Sequence, residues 1–151
     1  MNETAAVSLR EGERLEPLSK HTSVIVGNGC AFNTDTILLA DFSMPKKGER
    51  CADFGTGCGT IPLLWCTRSN PGQVWAAEIQ PGACEMARRS VRFNGFQDII
   101  HVSEGDFRTL RSRENIPAGS LDLIACNPPY KEAGTGCLSA TEEERIARHE
   151  T

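Results

Sequence analysis

The stretch Asp53-Phe54-Gly55-Thr56-Gly57-Cys58-Gly59 constrains this chain more than any other. It closes a short apolar run, Arg50 to Phe54, and precedes Thr60 to Thr67, where Ile61, Leu63, Leu64 and Trp65 supply apolar cover for a helix. Glycines at this spacing let the backbone turn tightly and approach a ligand closely. A helix that starts straight after the turn aims its unpaired amides at whatever sits there. The spacing is G-x-G-x-G. The dinucleotide fingerprint G-x-G-x-x-G would need glycine where Thr60 stands. The Asp53 carboxylate would repel a pyrophosphate and suits a ligand with a cationic end.

The alternation continues downstream. Gln73 to Ile79 reads as a second strand after the turn Ser69-Asn70-Pro71-Gly72. Pro81 stands where a first helical residue should, and Asn94-Gly95 marks the stop, with Ala83, Ala87, Val91 and Asn94 on one face and Met86 beside it. Asp98 to Ser103 is expected as a third strand. Leu121 to Cys126 is expected as a fourth, apolar almost throughout, as buried parallel strands are. Upstream, Thr22 to Val26 is β-branched and runs into the turn Gly27-Asn28-Gly29. Asn33, Thr34 and Asp35 offer cap residues before a helix over Thr36 to Phe42. Residues 1–20 read as a loosely ordered lead-in. Strand–helix repetition at this spacing predicts an α/β fold with a parallel sheet. Ligands in such sheets bind beyond the carboxyl ends of the strands.

Composition narrows the class. The chain has 151 residues, enough for one domain with a real core, and ordinary apolar and charged fractions. No run approaches the length of a membrane span, and the polar N-terminus lacks a signal-peptide core, so a cytoplasmic protein is expected. Seven cysteines, at 30, 51, 58, 66, 84, 126 and 137, form no C-x-x-C pair and have no histidines spaced as zinc partners. They read as small buried hydrophobes, and no metal is expected. The net charge of −4 argues mildly against a surface built to grip nucleic acid. Three basic clusters stand against that balance: Lys46, Lys47 and Arg50; Arg88, Arg89 and Arg92; Arg108, Arg111 and Arg113.

The remaining strand ends carry chemistry. Glu78 closes the second strand, where a carboxylate can accept both hydroxyls of a ribose. Gly105-Asp106-Phe107 follows the third: Asp106 can accept an exocyclic amine or simply cap a helix, and Phe107 or Ile79 can pack on a flat ring. The fourth strand ends in Asn127-Pro128-Pro129-Tyr130, the most specific signal in the chain. Two prolines fix the backbone and leave carbonyls free to accept. The Asn127 amide oxygen and the Pro128 carbonyl together suit both hydrogens of a planar NH2 group, and Tyr130 offers a stacking face. Such a nitrogen attacks poorly because its lone pair is delocalised. Two acceptors on its hydrogens favour the tetrahedral form that attacks a methyl group, and proximity contributes the rest.

With all four strand ends in view, the chain resembles the class I, S-adenosylmethionine-dependent methyltransferases that carry an N-P-P-Y motif. It is most similar to the bacterial tRNA adenine-N6 methyltransferases that act beside the valine anticodon. The likeness rests on Phe32-Asn33-Thr34-Asp35-Thr36-Ile37-Leu38-Leu39-Ala40-Asp41-Phe42, on Asp53 to Gly59, and on Asn127 to Tyr130 continuing to Ile146-Ala147-Arg148-His149-Glu150. The resemblance implies a Rossmann-like domain over residues 22–151 after a lead-in at 1–21. It implies S-adenosylmethionine held by Asn33, Thr34, Asp35, Asp53, Gly55, Thr56, Gly57, Gly59, Glu78, Ile79, Asp106, Phe107 and Asn127. It implies a target adenine that leaves its stack for a pocket formed by Asn127, Pro128, Pro129 and Tyr130, with Arg148 and His149 near RNA. The family fold continues into further strands, so the sheet is expected to be cut short after its fourth strand, with an edge open to homodimerisation. Two other readings stay open. One is methylation of the glutamine amide of release factors, which uses the same NH2 chemistry. The other is a cofactor-binding module without activity. A nicotinamide-dependent oxidoreductase is disfavoured by the absent third glycine and by the N-P-P-Y motif.

Overall fold

The computed structural model describes residues 6–128. Pro129 and Tyr130, with Cys137, Arg148 and His149, lie outside the described residues. A two-stranded hairpin, β1 (Glu13–Pro17) and β2 (Ser23–Gly27), opens the fold. The helix α1 (Thr34–Phe42) follows. Then come β3 (Arg50–Phe54), α2 (Thr60–Arg68), β4 (Gln73–Glu78), α3 (Pro81–Phe93) and β5 (Ile100–Glu104). A single 3-10 turn leads into the short helix α4 (Leu110–Arg113), and β6 (Leu123–Cys126) completes the order. The last four strands form one parallel sheet in the order β5-β4-β3-β6, as the alternation predicted.

The pleat divides the core in two. Along β3 and β4, Cys51, Val74 and Ala76 face a large cluster with Leu63, Leu64, Trp65 and Val91, while Ala52, Trp75 and Ala77 face a smaller one with Leu110 and Ile116. On this alternation Asp53 falls on the same face as Cys51. Helix α3 buries Ala83, Met86, Ala87 and Val91 as its apolar spacing predicted, and Cys84 and Ser90 join them. Pro81 opens that helix, Asn94 ends it, and Gly95 follows at φ 76°.

Three expectations need correction. The lead-in is not loose throughout: Glu13–Pro17 pairs antiparallel with Ser23–Gly27. Glu13 accepts from both Arg89 and the Arg10 backbone amide, which docks the hairpin on α3. Ser23 and Ile25 extend the docking by donating to Asn94 and Ser90. One apolar residue, Leu15, between charges hid this strand. Helix α1 starts at Thr34, two residues early, because Asn33 caps it: its side chain accepts from the Thr36 amide at 3.1 Å and the Thr36 hydroxyl accepts in return. Finally, β6 is shorter than expected and not buried on both faces. It is an edge strand among the described residues, and Ile124 stands 52% exposed.

The cysteines divide by position. Cys51, Cys58 and Cys84 are buried as expected, Cys30 and Cys66 are partly so, and Cys126 is exposed. Several members of the basic clusters are committed to internal contacts. Arg89 pairs with Glu13, Arg108 with Asp106, and Arg113 donates to Ser103, the Glu104 carbonyl and the Asp106 carbonyl. No helix among the described residues is long and apolar enough to cross a membrane.

Candidate active site

The site is assembled where β3, β4, β5 and β6 end. After β3 the chain turns through Gly55, Gly57 and Gly59 at φ 73°, 61° and 92°. All three lie in the left-handed region that side chains avoid. The Gly55 and Thr56 amides both donate to the Ala77 carbonyl, at 2.9 and 3.0 Å, which straps the turn to β4. A side chain at Gly55 would enter open space, so the turn keeps a cradle clear. At Gly59 a side chain would meet Ala87 of α3 at 3.3 Å, so this glycine serves packing.

Asp53 is the most telling residue. It is 1% exposed, and neither carboxylate oxygen has a hydrogen-bond partner; the Thr56 hydroxyl beside it has none either. Burial pushes its pKa up to about 7, a rise that nearby Thr56 offsets in part and the charge of Glu78 adds to. Buried polar groups in folded proteins are almost always paired. A cationic or hydrogen-bond-donating ligand would supply what the chain does not.

Glu78 ends β4 at 7% exposure. Burial raises its pKa, and the backbone amides of Ile79, Gln80 and Gly57 pull it back. Its Oε2 accepts from the Ile79 amide at 3.0 Å. Two buried carboxylates thus sit at neighbouring strand ends on either side of a glycine turn.

The other predicted residues are placed with differing roles. Asp106 caps the 3-10 turn by accepting from the Arg108 amide at 2.8 Å, and it also accepts from the Arg108 guanidinium. That guanidinium holds its carboxyl down at about 2. The capping role considered from sequence is therefore present. Phe107 stacks on Phe54, ring centroids 4.9 Å apart and planes within 10°. Both Ile79 and Phe107 keep about half their surface open. Asn33 and Thr34 belong to the cap and first turn of α1, with Asp35 next to them.

Asn127 reaches α1 directly: its Nδ2 donates to the Thr36 hydroxyl at 3.4 Å. The segment Asn33–Thr36 and the Asn127 end of β6 are thereby brought together, while Pro128 lies exposed beside them. Sequence reasoning missed the part played by Thr36. The spacing of Asn33 and Thr36 signalled a capped helix start, but a partner in β6 leaves no local signal. It also missed Cys30, whose thiol would lie 3.7 Å from a side chain at Gly57.

The fold defined by this sheet and turn is that of class I methyltransferases. Trm5 of Methanocaldococcus jannaschii, solved in complex with adenosine, superposes with a TM-score of 0.57 at 14% identity, over 80% of this chain and 36% of that one. An O-methyltransferase from Bacillus cereus, in complex with SAH, gives 0.53 at 18% identity, over 66% of this chain and 46% of that one. The chain belongs to the methyltransferase small domain family, whose model matches residues 30–147. Among curated relatives, a tRNA1(Val) (adenine(37)-N6)-methyltransferase of Porphyromonas gingivalis is 34% identical over 81% of this chain and 49% of its own length. The protein of the same name from Haemophilus influenzae is 30% identical over 81% of this chain and 52% of its own. The chain spans about half the length of these relatives.

Proposed function

We propose that this chain forms the cofactor-binding part of an S-adenosylmethionine-dependent N-methyltransferase whose target is the exocyclic N6 amine of an adenine in tRNA. The observation that carries the reading is the pair of buried carboxylates, Asp53 without a hydrogen-bond partner and Glu78, astride a glycine turn with a clear cradle. The cofactor has a cationic amino-acid end for Asp53 and a ribose diol for Glu78. The names carried by the relatives support the choice of tRNA adenine, and action on tRNA supports a place in the cytoplasm.

S-adenosylmethionine supplies an electrophilic methyl group on a sulfonium. The chain's own residues would do the rest. Asp53 and the turn amides orient the amino-acid end, and Glu78 accepts from the ribose hydroxyls. Ile79 and Phe107 offer apolar surface for the adenine ring. Asn127, held by Thr36, and Pro128 present acceptors to the target NH2 group, with Pro129 and Tyr130 completing the motif. Among the described residues β6 is the sheet edge, which suits pairing with a second copy; sedimentation at rising concentration would register this as a dimer.

The deciding experiment is calorimetric titration of the 151-residue chain with S-adenosylmethionine and, in parallel, NAD. Saturable binding of S-adenosylmethionine alone is expected, and binding of NAD alone would replace the reading. Methyl transfer to a release factor but not to unmodified tRNA would move the target to a glutamine amide.

A further inference from the structure

The glycine turn carries a cysteine that the proposed chemistry does not use. Cys58 lies inside the turn, 2% exposed, between Gly57 and the N-terminus of α2. Cys30, in the segment leading into α1, rests against it. The Cys30 sulfur lies 3.7 Å from where a Gly57 side chain would begin, and both cysteines pack into the same side of the core. Each thiol perturbs the other's titration, Cys30 upward and Cys58 downward, as neighbouring thiols do, and the Thr60 hydroxyl lies 3.5 Å from the Cys58 sulfur. Cys30 also lines a cavity of about 380 Å3 with Arg10, Gln80 and Met86, open to solvent between the hairpin and the start of α3. Small molecules therefore reach one sulfur of the pair.

The rest of the cysteine set throws this pair into relief. Cys51, Cys66, Cys84 and Cys126 have raised pKa values, each first through burial, which disfavours the reactive thiolate. Among the described cysteines Cys58 alone is lowered, first through its neighbour Cys30, which is raised in turn. Two thiols that perturb one another titrate as a unit, so the first thiolate belongs to the pair.

We infer that Cys30 and Cys58 form a reversible oxidation site at which a hydroperoxide closes a disulfide across the glycine turn. The thiolate of the pair attacks one peroxide oxygen. The O–O bond breaks, a sulfenic acid forms, and the departing oxygen takes a proton to leave as water or an alcohol. The partner thiol loses its proton and attacks the sulfenic sulfur. The S–S bond forms and the S–O bond breaks, releasing water. The two cysteines lose two electrons, and the peroxide gains them.

Closing the bond brings the two sulfurs to about 2 Å of one another. Gly57, Gly59 and the segment ahead of Asn33 must shift with them. Ligand-holding groups tolerate displacements of only about 0.5 Å. Oxidation therefore weakens cofactor binding, and reduction restores it. This consequence rests on the function proposed above; the cross-link itself does not.

The test treats the reduced 151-residue chain with hydrogen peroxide, alkylates the remaining thiols and maps the peptides without reduction. Titrations with S-adenosylmethionine follow on reduced, oxidised and re-reduced samples. One disulfide joining Cys30 to Cys58 is expected, absent in Cys30→Ser, with affinity about tenfold weaker until dithiothreitol is added. A map showing no disulfide, or one between other cysteines, overturns the site. A Cys30–Cys58 bond that leaves affinity unchanged overturns its effect on binding. Failure of all three samples to bind S-adenosylmethionine would count against the cofactor reading, while the peptide map would still decide the cross-link.

Discussion

The side-chain amide of Asn127 donates to the hydroxyl of Thr36 across 3.4 Å, tying the end of β6 to the first turn of α1. The same hydroxyl accepts from the Asn33 amide, so one side chain serves a helix cap and the proposed acceptor at once. Thr36→Val keeps the shape and deletes the hydroxyl. Losing part of the capping box should cost about 1 kcal/mol of stability. Removing this contact from the Asn127 amide should lower kcat for methyl transfer by about tenfold with a smaller change in KM. Thr36→Ser should restore both. A kcat equal to wild type in Thr36→Val would show that this contact does not position Asn127.

Asp53 makes a pH prediction with a definite sign. Its folded-state pKa of about 7 lies above the ordinary 3.8, so the native chain holds a proton that the unfolded chain has lost. Stability must therefore fall as pH rises from 3.8 to about 7, by up to about 4 kcal/mol in all from this group. Asp53→Asn should flatten that slope and raise the denaturation midpoint at pH 8. Urea titrations of both proteins across this range would read it directly. In wild type a cationic ligand should bind more tightly at pH 8 than at pH 6, because it meets the ionised form.

The Gly55 cradle separates binding from folding. At φ 73° an alanine carries backbone strain of about 1 kcal/mol, yet its methyl group would touch nothing within 4 Å. Gly55→Ala should lower Tm by a few degrees while weakening S-adenosylmethionine binding more than tenfold, because the methyl occupies the ligand's space. Calorimetry beside a melting curve distinguishes this from general damage: an affinity loss no larger than the stability loss would place the ligand elsewhere.

How far the sequence revealed all this depends on the range of each interaction. The parallel sheet was legible because period, glycine turns and Pro81 are local signals. The carboxylates at 53 and 78 were legible because strand ends are. Strand β1 was not, because its strand character comes from pairing with β2 and from the grip of Glu13 on Arg89, a residue far along the chain. Ile124 looked like core from its neighbours in Leu121 to Cys126. Its exposure follows from β6 lying at the edge of the described sheet, which composition does not encode. The same holds for the stacking of Phe107 on Phe54 and the reach of Asn127 to Thr36.

That unforeseen hairpin gives the last prediction. Glu13 and Arg89 meet at 2.6 Å with side chains only 3% and 14% exposed, and the Arg10 amide also donates to Glu13 at 2.8 Å. The Arg89 guanidinium holds the Glu13 carboxyl below its ordinary 4.5. A lowered acid stabilises the fold above pH 4.5 and loses that contribution as pH falls below it. Glu13→Ala leaves a shielded guanidinium with the Ser8 carbonyl and the more exposed Glu85, and should cost about 2–3 kcal/mol at pH 7. The loss should shrink toward pH 3, where the wild-type carboxyl also becomes neutral. Hydrogen exchange would localise the effect, with faster exchange at Leu15 and Ile25 than at Ala76 in the central strand. Uniform acceleration across the whole sheet would mean that the hairpin is part of one cooperative unit rather than a separately docked element.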